Sequence, residues 1–200
     1  DCLLSRGLGD VYKRQELIKL ANKECLLSST YEPSSKTKMK LRAAPGAGTM
    51  YLQSECAEAL AELFAGAEEA GYKLYLKSAY RAYKTQKTMY NNRLERNNGK
   101  DDGWVSKPGA SDHQTGLGCD VVPGSWKDKS MNSNMASTPE CQWMAEHCYE
   151  YGFVIRYPED KQDITEINYE PWHLRYVGKE VARYIWRNGL CLEEFHEQLQ

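Results

Sequence analysis

The sequence has no excess of basic residues, since 26 lysines and arginines stand against 28 aspartates and glutamates. Such a chain has little charge to neutralise a phosphate backbone, so nucleic acid is not expected as a partner. No apolar run is long enough to span a bilayer. A CxxC pair and an HExxH segment are also absent, which excludes the commonest zinc knuckles and the most familiar zinc-peptidase helix.

The first fifteen residues, DCLLSRGLGDVYKRQ, follow neither a helical nor a strand period. Their end, residues 10–15, is similar to the translation of an adaptor used in sequencing libraries. We therefore expect residues 1–15 to be a non-native or disordered leader and residues 16–200 to form the folded domain. Because such a leader would replace the natural start, it carries no information about a signal peptide or a membrane anchor.

Six cysteines remain when Cys2 of the leader is set aside. An even number allows disulfides in an exported protein, but no spacing here specifies a pairing. Cys141 and Cys148 lie seven residues apart on a predicted helix, so we expect them, with Ala145, on its buried face. Cys119 is also expected in the core, because its side chain points away from that of Asp120 along a predicted strand.

Apolar periodicity predicts several helices and about four short strands in mixed order. Helices are predicted over residues 52–70, 83–96, 138–152 and 178–188. Strands are predicted over residues 73–80, 118–122, 153–156 and 173–177. No internal linker interrupts them, so the sequence predicts a single α+β domain.

Four histidines make the search for metal ligands short. Hydrolytic metal sites need three protein ligands, an open position for water and a nearby base. His113 and Asp120 flank a loop with two glycines, which lets an imidazole and a carboxylate meet at one ion. Glu170, three residues before His173, can hold a water without being a ligand. Spacing alone does not decide the matter, because a lone histidine is more often structural.

Three motifs resemble those of the VanY-type D-alanyl-D-alanine carboxypeptidases. Residues 111–120, SDHQTGLGCD, are similar to the family pattern SxHxxGxAxD. Residues 170–178, EPWHLRYVG, are similar to EPWHxRYVG, and residues 78–86 are similar to SGYRxxxxQ. The motifs occur in the family's order, and the resemblance extends over about residues 17–195. It implies a zinc peptidase that shares its fold with the hedgehog signalling domain, in which a small antiparallel sheet with flanking helices holds the zinc site.

The resemblance also implies a role for each matching residue. One zinc ion per chain would be held by His113, Asp120 and His173. Glu170 would act as general base and then as proton donor. The terminal carboxylate of the substrate would be bound by Arg81, with help from Gln86 and Ser111. An arginine suits that task because its planar guanidinium matches a carboxylate.

Three positions depart from the family pattern. Gly118 replaces the usual alanine and Ala79 replaces a frequent glycine, and both exchanges are between small residues. Glu166 occupies a place where glycine is expected, so the conformation of the loop before the second motif is open. None of these positions is an implied ligand or base.

These observations predict a zinc D,D-carboxypeptidase domain in residues 16–200 that removes the terminal D-alanine of peptidoglycan stem peptides. A D-Ala-D-Ala dipeptidase and an L-Ala-D-Glu endopeptidase of the same fold are alternatives, as is a cell-wall-binding domain without activity. We expect action outside the cytoplasm of a bacterium. A membrane anchor beyond these residues is compatible with the sequence, and the oligomeric state stays open.

Overall fold

The computed structural model describes residues 15–199. A pair of short antiparallel strands, β1 (Thr37–Lys38) and β2 (Tyr51–Leu52), comes first. The main sheet contains β3 (Leu74–Ser78), β4 (Gly118–Pro123), β5 (Phe153–Ile155) and β6 (His173–Tyr176). Its strand order is β3-β4-β6-β5, and every neighbouring pair is antiparallel. The four predicted strands and the α+β class are confirmed, whereas the leader predicted over residues 1–15 lies outside the described residues except for its last one.

Helices pack around this sheet. Those with defined bounds are α1 (Ser54–Glu69), α2 (Tyr83–Arg96), α3 (Pro139–His147), α4 (Gln162–Thr165), α5 (Lys179–Asn188) and α6 (Leu192–Glu197). The helices predicted over residues 52–70, 83–96 and 178–188 are confirmed. Within residues 15–199, no helix has both the length and the apolar character that crossing a membrane requires.

The predicted helix over residues 138–152 differs from the structure in its second half. Helix α3 ends at His147, and the chain continues as a 3-10 helix over Cys148–Tyr151. The buried face of α3 contains Met144 rather than Ala145, which is exposed, so that part of the prediction is wrong. Spacings of three and four residues both fit one helix face, and the structure buries the larger apolar side chain.

The six cysteines of the described part of the chain are free thiols. Cys25 is exposed, and the other five are buried. Cys119 lies in the main hydrophobic core, as predicted. Burial raises the pKa of Cys148 to about 12, so this thiol stays protonated and unreactive at neutral pH.

The two faces of the main sheet have different environments. Cys119 and Val121 of β4 pack into the core with the apolar side of α1. Asp120 lies between them and therefore projects from the opposite face. In the register of β4 with β6, Asp120 is paired with His173, and directly opposed residues project from the same face. The sheet thus brings two of the three predicted ligands together.

Glu166 adopts the backbone conformation that the expected glycine would have. Its φ is 55°, in the left-handed region, where it ends helix α4. An L-residue in this conformation costs roughly 1–2 kcal/mol, which is why glycine is favoured there. The Glu166 carboxylate pairs with Lys23 at 3.1 Å. The loop before the second motif therefore keeps its turn despite the substitution.

A buried carboxylate joins two buried arginines on the site face of the sheet. Asp112 accepts a hydrogen bond from Arg156 Nε at 2.6 Å and another, on its second oxygen, from Arg175. All three side chains are fully buried. Burial opposes ionisation of Asp112, but the two guanidinium groups outweigh it and hold the pKa of this carboxyl below its ordinary value.

The same network extends to both ends of the described chain. Arg156 makes a two-pronged contact with Glu193 of α6, at 2.8 and 2.6 Å. Arg175 donates to the backbone carbonyls of Leu17 and Lys19, at 2.9 and 2.7 Å. Two positive and two negative side chains therefore neutralise one another inside the protein. Arg175 of β6 holds the segment at Leu17 and Lys19, and Arg156, which follows β5, holds α6.

Replacing Asp112 by asparagine would leave two buried guanidinium groups without their shared negative charge. Loss of one partner from a buried ion pair costs on the order of 3–5 kcal/mol. We expect Asp112→Asn to lower the free energy of unfolding by about that amount. Urea denaturation with a chelator present would measure it without a contribution from bound metal.

Glu62→Gln is the matched control, because it removes an exposed carboxylate that pairs with Lys179 at 2.9 Å. That change should cost less than about 1 kcal/mol. Equal losses in the two variants would show that the buried network is not a principal source of stability.

Candidate active site

Three potential metal ligands meet beside the main sheet. Asp120 and His173 come from paired positions of β4 and β6, and His113 comes from a 3-10 helix over Asp112–Thr115. His113 Nε2 lies 3.4 Å from Asp120 Oδ2, and His173 Nδ1 lies 3.1 Å from Asp120 Oδ1. One potential ligand atom from each residue lies within 4.8 Å of the other two, and all three residues are buried.

The local hydrogen bonds fit a cation in this cluster. His113 Nδ1 is 2.8 Å from the carbonyl oxygen of Ala79, which fixes the ring and leaves Nε2 for a ligand. Within residues 15–199, the buried atoms Asp120 Oδ1 and His173 Nε2 have no hydrogen-bond partner. Buried polar atoms without partners are costly, and a cation beside the carboxylate would relieve that cost for Asp120 Oδ1, the oxygen that His173 Nδ1 approaches. Two imidazoles and one carboxylate form a zinc-type donor set with an open fourth position.

The charges of the cluster also suit metal binding. Burial opposes ionisation of Asp120, but His113 and His173 outweigh it and keep the pKa of this carboxyl far below its usual value. Burial, followed by the positive charge of Arg81, lowers the pKa of His113. An ionised carboxylate and a neutral imidazole are the forms that bind metal, so these groups need no large change of protonation.

Glu170 lies beside the cluster rather than within it. Its Oε2 is 3.5 Å from His173 Nδ1, and its backbone N–H donates to the carbonyl of Tyr157 at 3.1 Å. Burial and the nearby charge of Asp120 raise the pKa of Glu170 well above its ordinary value, while Arg81 acts in the opposite direction. A carboxyl group with a raised pKa can hold and exchange a proton near neutral pH.

Arg81 follows β3 and is held in place by its neighbours. Its Nη1 donates to Gln86 Oε1 at 2.9 Å, and its Nη2 donates to Ser78 Oγ at 3.0 Å. Gln86 is itself fixed, because its amide nitrogen donates to the carbonyl of Ser106 at 2.6 Å. The backbone N–H of Arg81 donates to the carbonyl of His113 at 3.0 Å. The guanidinium group is therefore fixed next to the metal-ligand cluster.

All seven residues singled out from the sequence line one cleft of about 440 Å³. They are Arg81, Gln86, Ser111, His113, Asp120, Glu170 and His173. The sequence did not identify the remaining walls, which include Met89, Arg93, Trp104, Met131 and Tyr157. Trp104 stacks on Trp172, with ring centroids 6.4 Å apart, and both line the cleft. These wall residues come from loops and from a polar helix whose patterns indicate no specific chemistry.

The chain is similar to proteins of one peptidase family. A model of the VanY family, described as D-alanyl-D-alanine carboxypeptidase, matches residues 49–179. The putative carboxypeptidase YodJ of Bacillus subtilis is 38% identical over 197 residues, which cover 97% of this chain and 72% of that protein.

Solved structures agree with this similarity. The LdcB LD-carboxypeptidase matches with a TM-score of 0.83 and 40% identity, covering 89% of this chain and 84% of its own. A mutant of the vancomycin-resistance D,D-pentapeptidase VanY in complex with Zn(II) matches with a TM-score of 0.74 and 28% identity. The match covers 90% of this chain and 98% of that one. The zinc in that relative agrees with the donor set found here. The chain therefore belongs to the VanY family of D-alanyl-D-alanine carboxypeptidases and is an enzyme of the zinc carboxypeptidase class.

Proposed function

We propose that the chain is a zinc-dependent D,D-carboxypeptidase that releases the terminal D-alanine of peptidoglycan stem peptides. One observation carries the proposal: a fixed guanidinium group lines the same cleft as a buried carboxyl and a His/Asp/His cluster. A carboxypeptidase needs this combination, because a free chain end distinguishes its substrate from an internal peptide bond. Since stem peptides of the assembled wall lie outside the membrane, we propose that the enzyme acts there.

The ligands in this proposal are His113, Asp120 and His173. A zinc ion bound there would polarise the scissile carbonyl and make a water acidic enough to react near neutral pH. The protein supplies preformed geometry, since the sheet register fixes Asp120 against His173 and the Ala79 carbonyl orients His113. Little conformational entropy is then lost when the site is used.

Glu170 is the proton carrier in this proposal. Its Oε2 takes a proton from the attacking water and then gives that proton to the leaving amine nitrogen. Burial supports this role, because the raised pKa of Glu170 brings its two protonation states closer in free energy. A non-catalytic wall-binding domain would need no such group, which disfavours that alternative.

Arg81 is the proposed receptor for the substrate's terminal carboxylate. Gln86 and Ser78 hold its guanidinium group, and Ser111 lines the cleft close by. A positive charge at this position also offsets the negative charges of Asp120 and Glu170. Substrate binding thus uses a charge-assisted contact with a group that needs no reorganisation.

An L,D-carboxypeptidase is a second candidate, because LdcB is 40% identical whereas the VanY structure is 28% identical. The two reactions release the same D-alanine and differ in the chirality of the residue before it. Recognition of the free carboxylate by Arg81 is common to both, so the distinction depends on the cleft walls next to the scissile bond.

Defined stem peptides separate these two reactions. We expect kcat/KM for a pentapeptide ending in D-Ala-D-Ala to exceed that for the tetrapeptide, which ends in an L-centre followed by D-Ala, by about tenfold or more. Inverting the stereocentre before the scissile bond moves its side chain against a cleft wall, and such a contact changes kcat/KM by about this factor. Mass spectrometry of the products measures both rates, and the opposite ratio would establish the L,D reaction.

Metal analysis tests the assignment of the ligands and of Glu170 together. The purified protein should contain about one zinc ion per chain, and His113→Ala and His173→Ala should each lose it. Glu170→Gln should keep its zinc but lose kcat on the order of a hundredfold or more, because the amide preserves shape and removes the base. Full zinc retention in both histidine variants contradicts the ligand assignment, and near-normal kcat in Glu170→Gln assigns the proton transfer elsewhere.

Amidation of the substrate's C-terminus tests Arg81. We expect the amide to be cleaved far more slowly than the acid by the wild type, since a charge-assisted pair contributes about 1.5–3 kcal/mol. Arg81→Ala should lose most activity on the acid and little on the amide, and Arg81→Lys should recover part of it. Lys84→Ala, an exposed cation of α2 outside the cleft, is the control. Equal wild-type rates on acid and amide would favour an endopeptidase.

A further inference from the structure

One face of helix α2 lines the cleft beyond the reacting groups. Gln86, Met89 and Arg93 are spaced by three and four residues, and all three line the same cleft as Glu170. Gln86 contacts Arg81, whereas Arg93 lies seven residues further along the helix. At 1.5 Å per residue this separation is about 10 Å, which an extended peptide spans in about three residues.

Arg93 is held so that one edge of its guanidinium group is available. Its Nε donates to both carboxylate oxygens of Asp102, at 3.2 and 2.9 Å, and its Nη2 donates to Oδ2 at 2.5 Å. Within residues 15–199, the hydrogen bonds that the Arg93 side chain donates come from Nε and Nη2, and none comes from Nη1. The side chain is 41% exposed. Asp102 thus orients the guanidinium group of Arg93, and the two N–H bonds of Nη1 remain for a ligand.

Asp102 is fixed in turn by the loop that it begins. Its backbone carbonyl accepts a hydrogen bond from Asn168 at 2.8 Å, and Asn168 N–H donates to the carbonyl of Gly103 at 3.0 Å. The loop then reaches Trp104, which stacks on Trp172 next to the reacting groups. Arg93 is therefore attached to the rigid wall of the cleft rather than to a free surface.

The helix that carries Arg93 is basic along its length. Residues 81–96 contain five lysines and arginines and a single glutamate. The whole chain has a net charge of −2, and two cations of this segment, Arg81 and Arg93, line the cleft. A peptide with negative groups along its length would be attracted to this side.

The geometry points to a second carboxylate subsite, in which Arg93 Nη1 binds an anionic group of the stem peptide about three residues from its free end. This inference rests on the proposed function, because Arg81 defines the position of that end. A stem pentapeptide offers two candidate groups: the α-carboxylate of D-isoglutamate at the second residue, three residues from the free end, and the distal carboxylate of diaminopimelate at the third, two residues from it on a long side chain. Arg93 is then a specificity determinant that favours acidic stem peptides over amidated or lysine-containing ones.

Four pentapeptides that end in D-Ala-D-Ala test the subsite and identify the carboxylate. They combine D-isoglutamate or D-isoglutamine at the second residue with diaminopimelate or lysine at the third. Calorimetry measures their binding to zinc-loaded Glu170→Gln protein, and release of D-alanine by the wild type is measured in parallel. We expect loss of one of the two carboxylates to weaken binding about tenfold or more, as for a charge-assisted contact.

Variants of Arg93 decide whether this residue is responsible. In the Glu170→Gln background, Arg93→Gln should bind the acidic and neutral peptides equally. The double variant Arg93→Gln/Asp102→Asn should also bind them equally. This result would exclude the explanation that an unpaired Asp102 repels the acidic peptides. Arg96→Gln, which removes an exposed cation of the same helix turn outside the cleft, should keep the full preference.

The outcomes separate the subsite from the reaction. Equal binding of all four peptides, or a preference that survives in both Arg93 variants, overturns the subsite even if the wild type releases D-alanine. No release by the wild type, together with a preference that depends on Arg93, rejects the proposed reaction and keeps the subsite. A failure of every peptide to bind overturns both.

Discussion

The buried contact of Asp112 with two arginines is the interaction on which the site depends. Asp112 precedes His113 in the chain, and Arg175 follows His173 by two residues on the same face of β6. The ion pair therefore fixes the 3-10 helix with one ligand against the strand with another. Arg156 adds a second hydrogen bond and connects the pair to α6. The register of β4 with β6 positions only Asp120 and His173, and this network, together with the contact between His113 and the Ala79 carbonyl, adds the third residue.

Two neighbouring groups of buried polar side chains differ in how completely they are hydrogen-bonded. The Asp112 network is fully paired, which makes its buried charges tolerable. The neighbouring cluster is not, since buried atoms of Asp120 and His173 lack hydrogen-bond partners. Unpaired buried atoms persist in a folded protein where surrounding contacts hold them in place. Here the fully paired Asp112 network supplies such contacts. The unpaired carboxylate oxygen of Asp120 is the atom beside which a cation would bind.

Much of the fold and of the site could be predicted from the sequence, because local signals are strong where they matter. Alternation predicted β3, apolar spacing predicted α1, and three motifs singled out Arg81, Glu170 and the three proposed ligands, all of which line one cleft. The Asp112 network could not be predicted, since its partners are 37 to 63 residues apart and charged residues carry no periodic signal. Trp104 could not be predicted either, because its place in the cleft wall depends on a contact between its loop and Trp172, which is distant in the sequence. The face of α3 was misassigned at Ala145 because two helical spacings fit equally well.

The turn after β3 and the 3-10 helix exchange two hydrogen bonds: His113 contacts the carbonyl of Ala79, and the N–H of Arg81 contacts the carbonyl of His113. The residue proposed to hold the cation and the residue proposed to hold the substrate's end are thus parts of one hydrogen-bonded ring. A displacement of this ring by a ligand at one position would therefore reach the other position. Thermodynamic linkage requires any such effect to be reciprocal, so the factor by which a bound cation changes the affinity for substrate equals the factor by which substrate changes the affinity for the cation.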